Sequence, residues 1–406
     1  MSRKLAPAAE PEASDDDLMM NSVPPPKQVA AHREWAKVAK RFGKWRPACE
    51  ELTLVRSVPT RFVQFDRATR VRGFPIERIS TVHGPSNQGK SLFSIGLIDS
   101  FLALDHGASL VDAEYTTPFD WIEKLIGGRS KHPAFVAQRP ENYEQTVNAV
   151  REYCKVIDEA RSEGTLPEDT SGLVVVDSIR KLIPKNLMDD VLKVAKESGK
   201  SGVEMLTGRA GQIKAQMNQA WLDELVPLLG RTHTAVLLIA REFDKEGASA
   251  DDRKFDNAWA VAGGRGLIFD ASLVMRVTRS AYVYEGSSDD RVVIGERHKV
   301  RIWKTKVEGK EGKYTDAFFH TSNGVFQPYG FDRARDVLEL AVHYGIVEQK
   351  GAWFSYDGER LGQGENKVVR TLNEAVDTLA EIEAAVRARF APDEELPGGM
   401  GEGQDD

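Results

Sequence analysis

Cysteine is nearly missing from this chain of 406 residues, since only Cys49 and Cys154 occur, far apart and in no metal-ligand or disulfide spacing. That excludes a disulfide-stapled scaffold and a cysteine-ligated zinc site, and it suits a reducing cytoplasm. No apolar run approaches the length of a membrane span, and the N-terminus lacks the apolar core of a signal peptide, so no membrane partner is expected. No internal repeat is visible. A net charge of −7 speaks against a nucleic-acid binder until it is mapped. Residues 1–27 carry five acids (Glu10, Glu12, Asp15, Asp16, Asp17) against Arg3, Lys4 and Lys27. Residues 391–406 carry six (Asp393, Glu394, Glu395, Glu402, Asp405, Asp406) and no base. The tails sum to −8, which leaves +1 for the body. The acidity belongs to the tails.

What is present is a globular composition, 41% hydrophobic and 29% charged, in a chain too long for one ordinary core. Residues 1–27 and 391–406 read as disordered acidic tails. A helix is expected over about 28–43, with Trp35, Val38 and Phe42 on one face and Gly43 as its stop. With the linker that follows to residue 56, it either packs on its own domain or reaches across to a neighbour. From 57 to 325 short apolar strands alternate with helices, the pattern of an α/β domain around a mostly parallel central sheet. Two polar insertions interrupt it, at about 186–212 and 242–266, each after the carboxyl end of a strand. In isolation they read as solvated linkers, although insertions of this length in that position are uncommon unless functional. Residues 326–390 read as a small α/β unit with its own helix, Ala334 to Tyr344.

The run Gly84-Pro85-Ser86-Asn87-Gln88-Gly89-Lys90-Ser91 fits the pattern G-x-x-x-x-G-K-[ST]. A glycine turn beside an exposed lysine would show the same letters. Its flanks favour a phosphate loop, because Ile79–Val82 reads as a buried strand and Leu92 to Leu102 as a helix with a broad apolar face. Glycines let successive N–H groups point at phosphate oxygens, and the helix N-terminus adds partial positive charge. Lys90 would reach the β and γ phosphates of ATP, and the Ser91 hydroxyl would ligate Mg²⁺. Leu173–Val176 is an apolar strand capped by Asp177-Ser178, and Asp177 would hold the same Mg²⁺. Asp112-Ala113-Glu114 ends another strand. Glu114 there is either a carboxylate that polarises an attacking water or a solvated strand-end acid. Lys304 and Lys306, two apart in the strand Val300–Val307, project from one face, which pattern alone reads as exposed and solvated.

With these residues in place, the chain resembles the bacterial and bacteriophage RecA recombinase family over roughly residues 35–390. Phe42-Gly43-Lys44, Gly73-Phe74-Pro75-Ile76-Glu77-Arg78-Ile79, Asp112-Ala113-Glu114 and Gly263-Gly264-Arg265-Gly266-Leu267 carry the likeness. The most specific stretch, Gly345 to Gly364, is similar to the family's small C-terminal domain, which hexameric helicases lack. The resemblance implies a RecA-like phosphate-loop ATPase core with an N-terminal helix and a small α/β C-terminal domain. It implies that Lys90 and Ser91 bind phosphate and Mg²⁺, that Asp177 and Ser178 complete the metal site, and that Glu114 activates water. Trp121 would stack on adenine, and Lys304 and Lys306 would reach the ATP of an adjacent subunit. The polar insertions become two DNA-binding loops, with Arg209, Lys214, Gly263, Gly264 and Arg265 as candidate contacts. Neither is strongly basic, so backbone N–H groups and glycine turns would share the phosphate contacts.

The chain departs from the family at two points. Pro118 replaces an acid that helps read adenine. Arg241-Glu242 replaces an Asn-Gln pair whose glutamine senses the γ-phosphate and signals to the second DNA loop. A carboxylate there is unfavourable unless paired or protonated, and Arg241 would serve as the phosphate contact if turned inward. The implied activity is that of an ATP-dependent recombinase, a helical homo-oligomer on single-stranded DNA that pairs it with homologous double-stranded DNA. A regulatory paralogue that does not exchange strands is one alternative, favoured by Glu242, and a hexameric DNA motor is another. The acidic C-terminal tail would compete with DNA for basic surface.

Overall fold

The computed structural model describes residues 55–179, 183–185, 189, 193, 209–244, 247, 249, 259–262, 266–286, 290–307 and 315–390. The expected helix at 28–43, both acidic tails and most of the two polar insertions lie outside them.

Strands β1 (Ser57–Val58) and β2 (Phe74–Pro75) pair antiparallel around helix α1 (Val63–Thr69). Strand β3 (Ile79–His83) is buried throughout and runs into the glycine loop and helix α2 (Lys90–Leu102). The alternation continues through β4 (Gly107–Asp112), α3 (Phe119–Ile126), β5 (Phe135–Gln138), α4 (Tyr143–Ser162) and β6 (Gly172–Asp177). Helix α4 starts where Asn142 accepts a hydrogen bond from the Gln145 N–H at 2.9 Å, an ordinary asparagine N-cap. Helix α5 (Arg209–Thr232) leads to strand β7 (Thr234–Ile239), which lies between β3 and β6. Helix α5 begins earlier than the sequence indicated, so the last residues of the first insertion are helical backbone rather than loop.

Within the second insertion, β8 (Glu242–Asp244) pairs antiparallel with β9 (Trp259–Val261), and Glu242 stands opposite Val261. This hairpin was hidden by the polar composition of the segment between its strands. Helix α6 (Gly266–Phe269) then leads to β10 (Leu273–Glu285), β11 (Val292–Thr305), β12 (Thr315–Ser322) and β13 (Gly330–Phe331). Strand β11 stops at Thr305, so Lys306 lies just past its end rather than inside it.

Nine strands form one sheet in the order β13-β12-β11-β10-β3-β7-β6-β4-β5. From β10 to β5 neighbours are parallel, and β11, β12 and β13 add an antiparallel wing. This is the mixed α/β architecture with a mostly parallel central sheet that the sequence indicated. Parallel strands covered on both faces read as unbroken apolar runs, and side chains alternate between two cores. Leu173 and Val175 enter the core under α2 and α3, whereas Val174 and Val176 enter the one under α4 and α5. Each such side chain contributes about 1.5–3 kcal/mol by leaving water.

Beyond the sheet, α7 (Arg333–His343) precedes a three-stranded sheet of β14 (Glu348–Lys350), β15 (Trp353–Tyr356) and β16 (Glu359–Gln363). Helices α8 (Glu365–Glu374) and α9 (Val376–Ala388) close a separate apolar core that also takes in Val63 of α1. Buried Asp66 of α1 receives the Arg387 guanidinium at 2.6 Å and the Thr60 hydroxyl and N–H, which ties α1 to α9.

Candidate nucleotide-binding site

The phosphate loop, Glu114, Asp177-Ser178 and Arg241 each sit at or just past the carboxyl end of a parallel strand, where open α/β sheets bind ligands. The loop Gly84–Ser91 follows β3, Glu114 follows β4, Asp177-Ser178 ends β6, and Arg241 follows β7. Adjacency of β3, β7, β6 and β4 therefore gathers residues that are more than 150 positions apart in sequence at one edge.

The loop is shaped by close packing. Gly84 has φ +148°, and a Cβ there would overlap the Val277 carbonyl of β10. Gly89 has φ +103°, and a Cβ there would lie 2.7 Å from the His298 ring. Only glycine fits either place. Gly89 is also the N-cap of α2 and supplies no side-chain cap, so the helix presents bare N–H groups toward the loop. Gln88 anchors the crest by accepting from Arg279 N–H at 2.9 Å, while its carbonyl receives the His298 Nδ1–H at 3.2 Å. Pro85 is half-buried, and Ser86 and Asn87 are exposed.

Lys90 is buried and curls back over the loop, donating to Gly84 O (2.9 Å) and Pro85 O (2.7 Å). Burial pulls its ammonium below the ordinary lysine value, opposed by the nearby carboxylates of Asp177, Glu242 and Glu114. The Ser91 hydroxyl donates to Asp177 at 2.7 Å. Burial pushes the Asp177 carboxyl up, Ser91 opposes this, and Glu114 and Asp112 push it further up. Buried Asp112 accepts the Thr116 and Thr117 N–H groups and Arg139 Nε, fixing the turn that carries Glu114. Glu114 accepts from the Ser178 hydroxyl at 2.5 Å and from Arg241 Nη2 at 2.9 and 3.3 Å to its two oxygens.

Arg241 and Glu242 point to different partners. Glu242, 7% exposed, accepts from Arg276 Nε (3.0 Å) and Nη2 (2.8 Å) and from His83 Nδ1 (3.1 Å). Burial alone would raise its pKa, but the bonds from His83 and Arg276 outweigh it and hold the carboxyl down at about 2. It is therefore paired and ionised. Burial lowers the His83 pKa, so a neutral imidazole donates its Nδ1–H to the carboxylate. The His83 ring lies 4.3 Å from that of Trp259 on β9, which lies 5.1 Å from Trp303 on β11. His83 and Arg276 escaped sequence reading. His83 adjoins the loop motif and gave some signal, whereas Arg276 gave none.

The remaining candidates lie elsewhere. Trp121 of α3 packs partly buried against the core and donates its indole N–H to Tyr329 at 3.3 Å. Lys304 donates to Ile268 O (2.6 Å) and Phe269 O (2.7 Å), and Lys306 to Phe269 O (2.6 Å). Both ammoniums thus share one face, as their spacing requires, and cap the C-terminal end of α6. Gly263, Gly264 and Arg265, and the side chains of Arg209 and Lys214, lie outside the described residues.

Fold and loop together define the class of phosphate-loop nucleotide-binding α/β proteins. The family model of the RecA N-terminal domain matches residues 33–315, and that of the RecA C-terminal domain matches residues 335–391. The chain belongs to the RecA family. It is 28% identical over 357 residues to the Protein RecA of Syntrophus aciditrophicus, covering 87% of this chain and 91% of that one. Against the Protein RecA of Geobacter sulfurreducens it is 28% identical over 364 residues, 89% of this chain and 94% of the relative. Against that of Bifidobacterium longum it is 26% identical over 393 residues, 96% and 87% of the two chains. Among the described residues no helix is long and apolar enough to cross a membrane.

Proposed function

We propose that this chain is a DNA-dependent ATPase that assembles as a helical filament on single-stranded DNA and promotes pairing and strand exchange with homologous duplex. The observation that carries the reading is the convergence of Lys90, the Ser91–Asp177 pair and Glu114 at one sheet edge, in a chain of the RecA family. The α2 N-terminus and the loop N–H groups would bind the phosphates of ATP, with the Lys90 ammonium released from Gly84 O and Pro85 O to meet them. Ser91 and Asp177 fit Mg²⁺, since a hydroxyl and a buried carboxylate 2.7 Å apart are hard oxygen donors within one field of acids. Mg²⁺ would supply charge neutralisation at the β and γ phosphates. Glu114, oriented by Ser178, would polarise the attacking water.

Lys304 and Lys306 would serve a neighbouring protomer's ATP, and their bonds to α6 set them beside the exit of the second insertion, the candidate DNA loop that ends in Gly263, Gly264 and Arg265. Residues 28–56 would provide the docking helix and its linker, and residues 391–406 an acidic brake on DNA binding. Hydrolysis of ATP by the full chain, with and without single-stranded DNA, tests the ATPase. Strand exchange on circular single-stranded and linear duplex DNA tests the coupling. Lys90→Ala is the control. ATP-dependent exchange lost in Lys90→Ala is the expected result. An ATPase indifferent to single-stranded DNA, with no exchange, would reject the reading.

A further inference from the structure

Arg241 makes its ion pair with the one carboxylate that the proposed hydrolysis needs unencumbered. Both oxygens of Glu114 are occupied, one by Ser178 and both by the single Nη2 of Arg241. The partners differ in access. The Glu114 side chain is 10% exposed, but the Arg241 side chain that holds it is 39% exposed. Lys90 lies within electrostatic reach of Asp177, Glu114 and Arg241. A planar guanidinium presents the same fork to a carboxylate and to a phosphate, so exchange between them needs little reorganisation. A terminal phosphate also carries more negative charge than a carboxylate. The Arg241 carbonyl accepts the Ala262 N–H at 2.8 Å, which holds the Arg241 backbone while its side chain is free to change partner.

We propose that Arg241 is a γ-phosphate ligand supplied by the same chain, parked on Glu114 until a nucleoside triphosphate takes it. Transfer of the guanidinium to the terminal phosphate uncovers Glu114 for water. Nucleoside diphosphate leaves the pair closed. The inference rests on the ATP-site reading above, and it replaces a neutral γ-phosphate sensor with a charged one that also masks the acid.

Isothermal titration of the full chain with ADP and with the non-hydrolysable β,γ-imido analogue of ATP, both with Mg²⁺, tests it. Arg241→Gln should weaken the triphosphate analogue about 10- to 100-fold, the worth of a charge-assisted bond, while ADP affinity stays within about twofold. Arg241→Lys keeps the charge without the fork and should fall between. Glu114→Gln should slow hydrolysis yet tighten the analogue about threefold or more, because Arg241 is then held back less. In Arg241→Gln/Glu114→Gln that tightening should vanish. Circular dichroism confirms that each variant folds. Equal loss of ADP and analogue in Arg241→Gln, or no loss of either, overturns the proposal. So does tightening by Glu114→Gln that persists without Arg241. If the unaltered chain binds neither nucleotide, the ATP-site reading itself falls, and this inference with it.

Discussion

Two adjacent residues, Arg241 and Glu242, each join an arginine–glutamate pair, and the two pairs are built for opposite purposes. Glu242 is enclosed by Arg276 and His83, with bonds of 2.8 to 3.1 Å from two strands of the sheet. Arg241 holds Glu114 through one nitrogen, from a side chain 39% exposed to solvent. An ion pair whose partners are both shielded is a structural joint, since removing one partner strands a charge away from water. A pair with one exposed partner costs little to open. The chain therefore fixes one end of the dipeptide beneath the phosphate loop and leaves the other exchangeable beside the candidate catalytic acid.

The comparison breaks most visibly at Glu114. Glu114→Gln should lower ATP hydrolysis by about 10²- to 10⁴-fold, the range for loss of a general base, with a melting temperature close to the parent's. A fall in melting temperature matching the fall in rate would mark Glu114 as structural. Next comes the joint. Arg276→Ala should cost about 2–3 kcal/mol in urea unfolding, because it leaves Glu242 ionised and under-paired. A change below about 0.5 kcal/mol would place Glu242 in the exchangeable class with Glu114.

Acid titration sharpens the same contrast. The folded-state pKa of Glu242 is depressed to about 2 from an ordinary 4.5, so its contribution is complete above pH 4.5 and fades as pH falls toward 2. The stability advantage of the parent over Glu242→Gln should therefore narrow between pH 5 and 3, measured by urea unfolding at each pH. An advantage that grows on acidification contradicts the pairing. The smallest effect belongs to the open pair, where Arg241→Ala should change stability by less than about 1 kcal/mol at neutral pH.

Much of the fold was legible from periodicity. Leu173–Val176 and Ala235–Ala240 could be read as buried parallel strands because both of their faces are apolar. The helix through Val147, Val150, Cys154 and Ile157 declared itself by the spacing of those residues. The hairpin at Glu242–Asp244 and Trp259–Val261 did not, because its short strands flank a long polar run and Trp259 packs on His83, a residue remote in sequence. The end of β11 was misplaced by two residues for a similar reason. Lys306 continues the alternating pattern past Thr305, where the strand ends and the Lys306 N–H bonds to Ser272 O instead. Of the candidate site, the loop and Asp177 were read from contiguous residues, while the surroundings of Glu242 were not.

The sequence by itself determined the phosphate loop, since eight consecutive residues set its curl and the helix that follows sets its polarity. It determined the parallel strands and the class of fold for the same local reason. Only tertiary structure decided what Arg241 and Glu242 do. Arg241 meets Glu114 across 127 residues of chain, and Glu242 meets His83 across 159. The order β10-β3-β7-β6-β4 makes those meetings possible. A charged residue carries no mark of its partner. Sheet adjacency and burial supplied that mark, turning one glutamate into a buried joint and the other into an acid held by a cation within reach of solvent.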